Sequence, residues 1–312
     1  MKNPRIVFFG TPDFAAAMLR VLIDDNYQVV LAVSQPDKPV GRKKIIQRTP
    51  VASLCDANHI DVIQPVKLKE AAETIRSYNP DLIVTCAYGQ FVPSVILEMP
   101  SLGCVNVHPS LLPKYRGGAP IQRAIMNGDE KTGVCLMEMT KAMDAGRVYA
   151  RAFHDIKPDI TGSELFDELE KVSAKLLHDN LPLYIEGKLE GIPQDESGVV
   201  IAPNIAREEE RINFETGDVS SIYNHMRALI EEPISYGVIG GRRIKFAKVR
   251  KEIKAHDEKP GTVIGFENHA MKIAAKGGYI LVYELQPEGK SRMNADAFAN
   301  GAGRALIGKV FE

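Results

Sequence analysis

The stretch from Cys104 to Pro120 constrains the fold of this chain more than any other part of its sequence. Its first five residues read Cys-Val-Asn-Val-His, a short apolar run that predicts a strand. Side chains alternate faces along a strand, so Asn106 and His108 point the same way. Pro109 cannot donate to a sheet ladder, which ends the strand. The loop from Pro109 to Pro120 holds three prolines and two glycines, so we expect a shaped segment.

Asn106 and His108 form a candidate site at the carboxyl end of this strand. Open α/β sheets bind ligands at that edge, where an amide donor and an imidazole would lie side by side. A histidine at a strand end is more often a structural residue than a catalytic one. The asparagine two positions earlier, the abrupt Pro109 and an arginine in the loop, Arg116, favour a functional site here.

The amino-terminal part of the chain alternates apolar strands with helices, a pattern typical of an α/β sheet. A strand at 5–9, the turn Gly10-Thr11-Pro12-Asp13 and a helix at 14–23 open it. Gly10 stands alone and no G-x-G-x-x-G follows, so a nicotinamide cofactor is not expected. Further elements are strands at 29–33, 61–64, 81–87, 134–139 and 148–154, and helices starting near 51 and at 69–78, 121–126 and 163–186.

Two loops at the carboxyl edge of the predicted sheet carry further candidate residues. The loop from Gln35 to Pro50 contains five basic residues against one acidic residue, Asp37. A charge run is usually solvated surface, but a loop this long in a compact domain is usually functional or disordered. Tyr88 and Phe91, in the turn after strand 81–87, are either core residues or a wall for a flat ligand.

The carboxyl-terminal part has a different pattern. From 187 to about 207 periodicity fades and Gly, Pro, Asp and Ser accumulate, the composition of a linker. Short apolar runs with Gly240-Gly241 as a hairpin turn then predict a small β-barrel. The runs lie at 236–239, 244–246, 262–266, 271–275 and 279–285, with helices at 220–230 and 295–299. We expect a catalytic domain at 1–188, a linker at 189–206 and a β-barrel domain at 207–312.

Composition excludes several classes of protein. The hydrophobic fraction of 45% and the charged fraction of 25% are those of an ordinary globular protein. No apolar stretch approaches the length of a membrane span, about 18 residues, so we expect no membrane association and a cytoplasmic location. Four cysteines without a C-x-x-C spacing predict buried free thiols, and the seven histidines show no metal-ligand spacing, so no metal is expected. A net charge of −1 still permits a polyanionic partner, because binding depends on local patches.

The pattern N-x-H-x-S-L-L-P-x-x-R-G-x-x-P stands unbroken from Asn106 to Pro120 and is long enough to be highly specific. It resembles the signature of the folate-dependent formyltransferases. Other stretches are similar to the members that act on methionyl-tRNA: Gly10 to Ala15, Gln35 to Arg42, Ala87-Tyr88-Gly89 and Ala119 to Arg123. The resemblance covers the chain end to end. It implies a Rossmann-like formyltransferase sheet domain followed by a small, OB-like β-barrel.

The resemblance also implies substrates and the residues that hold them. The formyl donor would be 10-formyltetrahydrofolate and the acceptor initiator methionyl-tRNA, with the protein acting as a monomer. The donor would be held by Ser110, Leu111, Leu112, Pro113, Tyr88 and Gly89. Because nucleic-acid affinity depends on local Lys and Arg, the charge pattern predicts the tRNA contacts. They are Lys38, Arg42, Lys43 and Lys44 in the first basic segment, and Arg242, Arg243, Lys245 and Lys248 in a second, where residues 242–254 carry seven basic residues and one acidic residue.

Formyl transfer to an amine needs few catalytic groups. The neutral amine attacks the formyl carbon, an oxyanion forms, and the departing nitrogen gains a proton. Asn106 and His108 can donate to the oxyanion, a role that usually contributes most to such reactions. An aspartate before Ala-Gly is more often a turn former. The catalytic role of Asp144 therefore comes from the resemblance, in which it completes an Asn-His-Asp triad, orients the imidazole and relays the proton.

The sequence departs from the family pattern at two places and leaves two alternatives open. Arg147 stands where the family often has an acidic residue, and Glu232-Pro233-Ile234-Ser235 stands where its barrel often has Pro-Trp-Pro. One alternative is a formyltransferase for a nucleotide-linked amino sugar, which the basic segment and the Gly-Thr-Pro-Asp opening disfavour. The other is a non-catalytic RNA- or folate-binding protein, which would not need Asp144.

Overall fold

The structure, a computed structural model, describes residues 3–40, 45–231 and 233–312. It contains two compact units. The first comprises the described residues of Met1–Pro120, Thr132–His154 and Glu168–Pro203, and the second those of Ile121–Lys131, Asp155–Asp167 and Asn204–Glu312.

Before residue 160, the described part of the chain contains nine strands, and seven of them form the sheet of the first unit. In chain order the strands are β1 (Arg5–Gly10), β2 (Gln28–Val33), β3 (Lys38–Val40), β4 (Ile45–Gln47), β5 (Val62–Ile63), β6 (Leu82–Cys86), β7 (Cys104–His108), β8 (Lys131–Glu138) and β9 (Val148–Asp155). The sheet has the order β5-β2-β1-β6-β7-β8-β9, and β3 pairs with β4 alone. The neighbours from β5 to β7 are parallel, whereas β7 and β8 are antiparallel.

The strand order reverses between β1 and β6. The chain first builds outward from β1 to β5, and then returns to the other side of β1 with β6. In open α/β sheets the ligand-binding crevice lies at such a reversal, at the carboxyl ends of the strands. Here the hydroxyl of Thr11, after β1, donates to the carbonyl of Tyr88, after β6, at 3.0 Å. The two loops that border the crevice are therefore joined.

The local sequence explains the buried strands and the helix ends. Ile6 to Phe9 are fully buried, as expected for a strand covered on both faces of a parallel sheet. Thr49 caps the second helix by accepting a hydrogen bond from the amide of Ala52 at 3.3 Å, with Pro50 at the first helical position. The helices are α1 (Asp13–Asp24), α2 (Pro50–Asn58), α3 (Ala72–Ser77), α4 (Ser94–Leu97), α5 (Pro120–Met126), α6 (Gly162–Ile185), α7 (Val219–Ala228) and α8 (Ala295–Asn300).

The predicted long loop at 35–50 contains the hairpin of β3 and β4, which the sequence did not reveal because three-residue strands carry no periodic pattern. Ile45 and Ile46 of this hairpin are 65% and 72% exposed. Arg48, at its base, lies 2.7 Å from Asp56 and 3.6 Å from Asp37. Arg48 therefore anchors the hairpin by ion pairs. The predicted tRNA contacts Arg42, Lys43 and Lys44 lie outside the described residues.

The second unit contains one antiparallel sheet. Its strands are β10 (Tyr236–Ile239), β11 (Arg242–Ile253), β12 (Val263–Glu267), β13 (Ala270–Ala275), β14 (Gly278–Pro287) and β15 (Met293–Asn294). Neighbours follow the order β10-β11-β14-β13-β12, with β15 beside β14. Gly240 and Gly241 have φ of 57° and 71° and form the predicted hairpin turn. The predicted fold class, an α/β sheet domain followed by a small β domain, is confirmed.

The segment predicted as a linker, 189–206, makes specific contacts. The first unit extends to Pro203. The amide of Arg116 donates to the carbonyl of Val200 at 2.9 Å, and the amide of Ala202 donates to the carbonyl of Arg116 at 2.7 Å. A loop composition reports the absence of periodicity and does not exclude such pairing. The domain boundaries at 188 and 206 stay a prediction.

All four cysteines are buried and free. Burial raises the pKa of Cys55 and Cys135 to about 11, that of Cys104 to about 12, and that of Cys86 well above its usual range. Because the thiolate is the reactive form, we expect no reaction of the native protein with Ellman's reagent at mildly alkaline pH. Denaturation in guanidinium should release all four thiols. A thiol that reacts at once in the native protein would contradict this packing.

Candidate active site

Strand β7 carries Asn106 and His108 on one face, as the alternation predicted. Val105 and Val107, on the other face, are 0% and 1% exposed. β7 pairs with β6 on one side, where Thr85 lies opposite Asn106, and with β8 on the other. The two polar side chains therefore lie one strand away from the reversal point of the sheet.

A hydrogen bond from Thr85 orients the Asn106 side chain. The Thr85 hydroxyl donates to Asn106 Oδ1 at 2.8 Å. With Oδ1 facing the Thr85 hydroxyl, the Asn106 amide presents Nδ2, which has no hydrogen-bond acceptor in the described part of the chain. Asn106 can therefore act as an uncharged donor to an oxygen that carries developing negative charge.

His108 is held by a backbone carbonyl. Its side chain is 5% exposed, and Nε2 lies 2.9 Å from the carbonyl oxygen of Tyr115. A carbonyl can only accept, so Nε2 carries a hydrogen and Nδ1 is the nitrogen left to exchange a proton. Nδ1 lies 3.8 Å from Asp144 Oδ2, within ion-pair range but beyond a hydrogen bond. The carbonyl of Tyr115, and not Asp144 as expected, makes the hydrogen bond that orients the ring.

Asp144 is held by its own backbone conformation and by the loop from Pro109 to Pro120, which we call the signature loop. It follows β8 with φ of 49°, an uncommon left-handed conformation for an aspartate. Its Oδ2 accepts a hydrogen bond from the amide of Gly117 at 2.9 Å. Gly117 has φ of 127°, and a Cβ at this position would lie 2.5 Å from the carbonyl oxygen of Ala202. Only glycine fits there, which explains one glycine of the signature.

Around Asp144, sequence reasoning assigned Arg116 no role of its own in the site and missed Gln194 and Glu196 altogether. The Arg116 side chain is 7% exposed and lies 2.8 Å from Glu196. Hydrogen bonds from Arg116 lower the pKa of the Glu196 carboxyl. Gln194 contacts both Arg116 and the backbone of the Asp144 loop. Arg116 belongs to the signature and could have been found there, whereas Gln194 carries no local signal.

The predicted donor-binding loop at 110–113 is partly built into the fold. Ser110 is fully buried and its hydroxyl donates to the carbonyl of Lys114 at 2.7 Å. Leu112 packs with Cys135, Met137 and Val148 and is joined to Pro113 by a cis bond. Leu111 and Pro113 are partly exposed. The side chains of Ser110 and Leu112 therefore shape the loop.

Tyr88 and Gly89 lie at the reversal point but differ in access. Tyr88 is 5% exposed and meets Phe9 edge to face, with ring centroids 5.2 Å apart. Burial raises the pKa of Tyr88 to about 12. Gly89 is exposed, with φ of 87°, and Phe91 is 64% exposed. Tyr88 is therefore a core residue, whereas Phe91 is accessible to a ligand.

The predicted tRNA-binding residues of the second unit share a surface. Along β11, Ile244 and Phe246 are buried, while the predicted contacts Arg242, Arg243, Lys245 and Lys248 are exposed. The register on β10 and β14 puts three of these on the outer face, which we call the basic face: Arg243, Lys245 and Lys248. The Arg243 guanidinium lies 4.8 Å from the centre of the Tyr236 ring. Arg242 is exposed at the start of β11, and Lys38 is exposed in the first unit.

Within residues 3–40, 45–231 and 233–312, no cluster of three or more His, Cys, Asp or Glu side chains could hold a metal ion. No helix in this described part of the chain has the length and apolar character needed to cross a bilayer.

The chain is similar to known proteins in sequence and in structure. Residues 4–181 match the family Formyl transferase, and residues 204–303 match Formyl transferase, C-terminal domain. The methionyl-tRNA formyltransferase of Bacillus cytotoxicus is 45% identical over 96% of both chains, and that of Mesoplasma florum is 41% identical over 100% of both.

Two solved structures show the same fold at low identity. Methionyl-tRNA formyltransferase from Clostridium thermocellum superposes with a TM-score of 0.56 at 19% identity, over 80% of this chain and 94% of that one. An N-formyltransferase from Helicobacter canadensis, in complex with folinic acid and dTDP-3-aminofucose, gives 0.69 at 20% identity, over 89% of this chain and 98% of that one.

Proposed function

The chain belongs to the methionyl-tRNA formyltransferase family, and from that premise we propose the reaction and the residues that perform it. The formyl group of 10-formyltetrahydrofolate is transferred to the α-amino group of methionyl initiator tRNA, for translation initiation. The protein acts as a monomer in the cytoplasm. Asn106, His108 and Asp144 are the catalytic residues.

The observation that carries this proposal is the convergence of three polar groups at one edge of the sheet. Asn106 and His108 come from the same face of β7, and Asp144, from the loop after β8, reaches to 3.8 Å from His108. The site lies beside the strand-order reversal, where a ligand-binding crevice is expected. Gly89 and the partly exposed Leu111 and Pro113 are the proposed contacts for the donor at this edge, with Tyr88, Ser110 and Leu112 supporting them.

The chemistry of each group follows from its contacts. When the neutral amine attacks, its lone pair forms the new N–C bond and the formyl oxygen becomes an oxyanion. Asn106 Nδ2 donates to that oxyanion, and His108 Nδ1 does so when the ring is protonated. The Asp144 carboxylate stabilises the resulting imidazolium. As the bond to the donor nitrogen breaks, that nitrogen takes up the proton released by the amine, directly or through a relay at Asp144. The amine loses one proton and the donor nitrogen gains one, so the reaction consumes no net acid or base.

The decisive test offers the protein a radiolabelled formyl donor and two acceptors separately. Formylation of methionyl initiator tRNA, without formylation of a nucleotide-linked amino sugar, is the expected result. Formylation of the amino sugar alone would replace the proposed acceptor. Binding of either substrate without any transfer would identify a non-catalytic binding protein. The relatives of 41–45% identity already disfavour both alternatives.

The basic face is proposed to hold the tRNA through its phosphates. Most of the affinity for a nucleic acid comes from Lys and Arg side chains that neutralise phosphates and release counterions. Arg243, Lys245 and Lys248 lie on adjoining positions of one exposed face. No ion pair to either lysine is present among the described residues. Lys38 and the basic residues Arg42 to Lys44 are proposed to guide the acceptor end.

We expect the substitutions Lys245→Ala and Lys248→Ala, combined, to weaken tRNA binding and to leave folate binding unchanged. Each lost phosphate contact should reduce the slope of log K against log salt by about one. Filter binding over a range of salt concentrations measures both effects. Lys276→Ala is a matched control, because this exposed lysine of the same unit lies in the turn after β13, outside the basic face. An unchanged salt slope in the double variant would make the face ordinary solvated surface.

The rate of transfer is expected to fall on acidification. The attacking amine must be neutral, and free α-amino groups have a pKa of about 7.7–8.0. On the acid limb of the pH profile, kcat/KM for tRNA should fall by up to tenfold per pH unit, because the neutral fraction of the amine does. Initial rates in buffers of constant ionic strength measure this dependence. A rate that stays flat from neutral pH to about pH 5 would rule out attack by the amine as the step observed.

A further inference from the structure

The segment after the last strand of the sheet contains a glutamine with every polar atom of its side chain engaged. Gln194 Nε2 donates to the carbonyl oxygens of Asp144, at 2.8 Å, and Gly146, at 2.7 Å. Its Oε1 accepts from Nε and Nη2 of Arg116, at 3.1 and 3.0 Å. A neutral amide offers two donor hydrogens and one acceptor oxygen. All of these donors and acceptors bond to the loop that carries Asp144 or to Arg116 of the signature loop.

These contacts fix the backbone on both sides of Ala145. The carbonyls that Gln194 holds belong to Asp144 and Gly146, so the loop is tied to one side chain at two points. A residue such as Asp144, with φ of 49°, keeps a sparsely populated conformation only where its surroundings determine it. Its Oδ2 then meets the amide of Gly117 at 2.9 Å and lies 3.8 Å from His108 Nδ1.

Arg116 anchors the glutamine in turn. Its guanidinium is buried and donates to Glu196 at 2.8 and 3.2 Å, as well as to Gln194. The backbone of Arg116 pairs with Val200 and Ala202. Side chain and backbone of one residue thus hold the segment that carries Gln194. All the groups concerned belong to the first unit.

We propose that Gln194 is a positioning residue for formyl transfer, which holds the Asp144 carboxylate in place through the backbone of its loop. This inference rests on the proposed function. Gln194 does not touch the reacting atoms, and it acts only through Asp144. A purely structural glutamine would contribute to stability but would not change the rate through that carboxylate.

The first test is Gln194→Met, which keeps the length of the side chain and removes its donor and acceptor atoms. We expect kcat to fall about 10- to 100-fold, the range seen when supporting contacts are lost or a catalytic group moves by about 1 Å. KM for both substrates should change little. Tyr184→Phe is a matched control: it removes a side-chain hydrogen bond to a backbone carbonyl, Leu102 O at 2.6 Å, in the same unit, and that bond does not involve the Asp144 loop. It should leave kcat unchanged.

The second test is a double-mutant cycle with Asp144→Asn, measured by single-turnover kinetics. If Gln194 acts through Asp144, adding Gln194→Met to Asp144→Asn should cause no further loss of rate. An equal loss in both backgrounds, or a normal kcat for Gln194→Met, would overturn the proposal. Should Gln194→Met fail to fold, Gln194→Glu keeps the acceptor for Arg116 and turns an oxygen toward the two carbonyls. It is expected to lower kcat at least as much.

Hydrogen exchange separates a failure of this inference from a failure of the proposed function. Peptides that cover residues 140–147 should exchange faster in Gln194→Met than in the unchanged protein, whichever acceptor the enzyme uses. Unchanged exchange would show that Gln194 does not hold the loop. Failure of the unchanged protein to formylate methionyl initiator tRNA would instead contradict the proposed function, and would leave the exchange result standing.

Discussion

Replacing His108 with alanine should lower kcat for formyl transfer about 100- to 1000-fold, the usual loss when a donor to an oxyanion is removed. The side chain is 5% exposed and held by the carbonyl of Tyr115, so its loss removes a preorganised group. Asn106→Ala and Asp144→Ala should each cause losses of similar size. Because the three residues act as one unit, their losses do not add. The triple variant should therefore be little slower than the slowest single variant. Single-turnover rates with saturating substrates measure these effects.

The affinity for tRNA provides the internal control for this series. His108 lies outside both basic segments, so filter binding should give a tRNA affinity close to that of the unchanged protein. His269→Ala is the matched substitution, because that side chain is 85% exposed on the second unit and has no role in the proposed reaction. Near-normal turnover by His108→Ala would show that the oxyanion is stabilised by other groups.

Gly117→Ala is expected to lower kcat nearly as much as His108→Ala does, although glycine has no side chain to remove. A Cβ there would lie 2.5 Å from the carbonyl oxygen of Ala202, at a backbone φ of 127° that L-residues avoid. The signature loop must then move away from residue 202, which withdraws the amide that binds Asp144 Oδ2. Because a displacement of about 1 Å can cost about 100-fold, we expect kcat to fall by roughly that factor. Thermal unfolding should also shift downward.

Gly187→Ala is the control that separates the steric overlap with Ala202 from the cost of a left-handed backbone. Gly187 has φ of 68°, so alanine there also adopts a left-handed conformation, but nothing lies within 4 Å of its Cβ. It should lose a little stability and keep its kcat. If Gly117→Ala behaved like Gly187→Ala, the contact between the signature loop and Ala202 would have no part in positioning Asp144.

The centre of the sheet was predictable because its strands are buried on both faces. The runs at 5–9, 81–87 and 104–108 are continuous or alternating apolar stretches bounded by Gly, Pro or Asp, and they match β1, β6 and β7 to within two residues. The β3–β4 hairpin was not predictable, because β4 is exposed and strands of three residues have no period. The helix expected at 69–78 begins as a 3-10 turn, Leu68–Ala71, before α3.

The candidate site was predictable only where its residues share a local pattern. Asn106 and His108 are two positions apart on one strand, so alternation alone places them together. Asp144 required a family resemblance, because a lone aspartate before Ala-Gly has many meanings. The carbonyl of Tyr115 could not be expected to replace Asp144 as the hydrogen-bond partner of the ring, since its direction depends on a left-handed backbone at φ of 66°. Gln194 depends on tertiary contacts that no local pattern reports.

The position of Gln194 in the chain also bears on when the enzyme becomes active during its own synthesis. Chains leave the ribosome from the amino terminus at about 5–20 residues per second, and domains fold as units. The last strand of the seven-stranded sheet ends at Asp155, well before Gln194 in the chain. All seven strands, with Asn106 and His108, are therefore synthesised before the residue that supports the Asp144 loop. Because Gln194 belongs to the same unit, the unit reaches its active form only when the segment with the composition of a linker has emerged and Arg116 receives its partners.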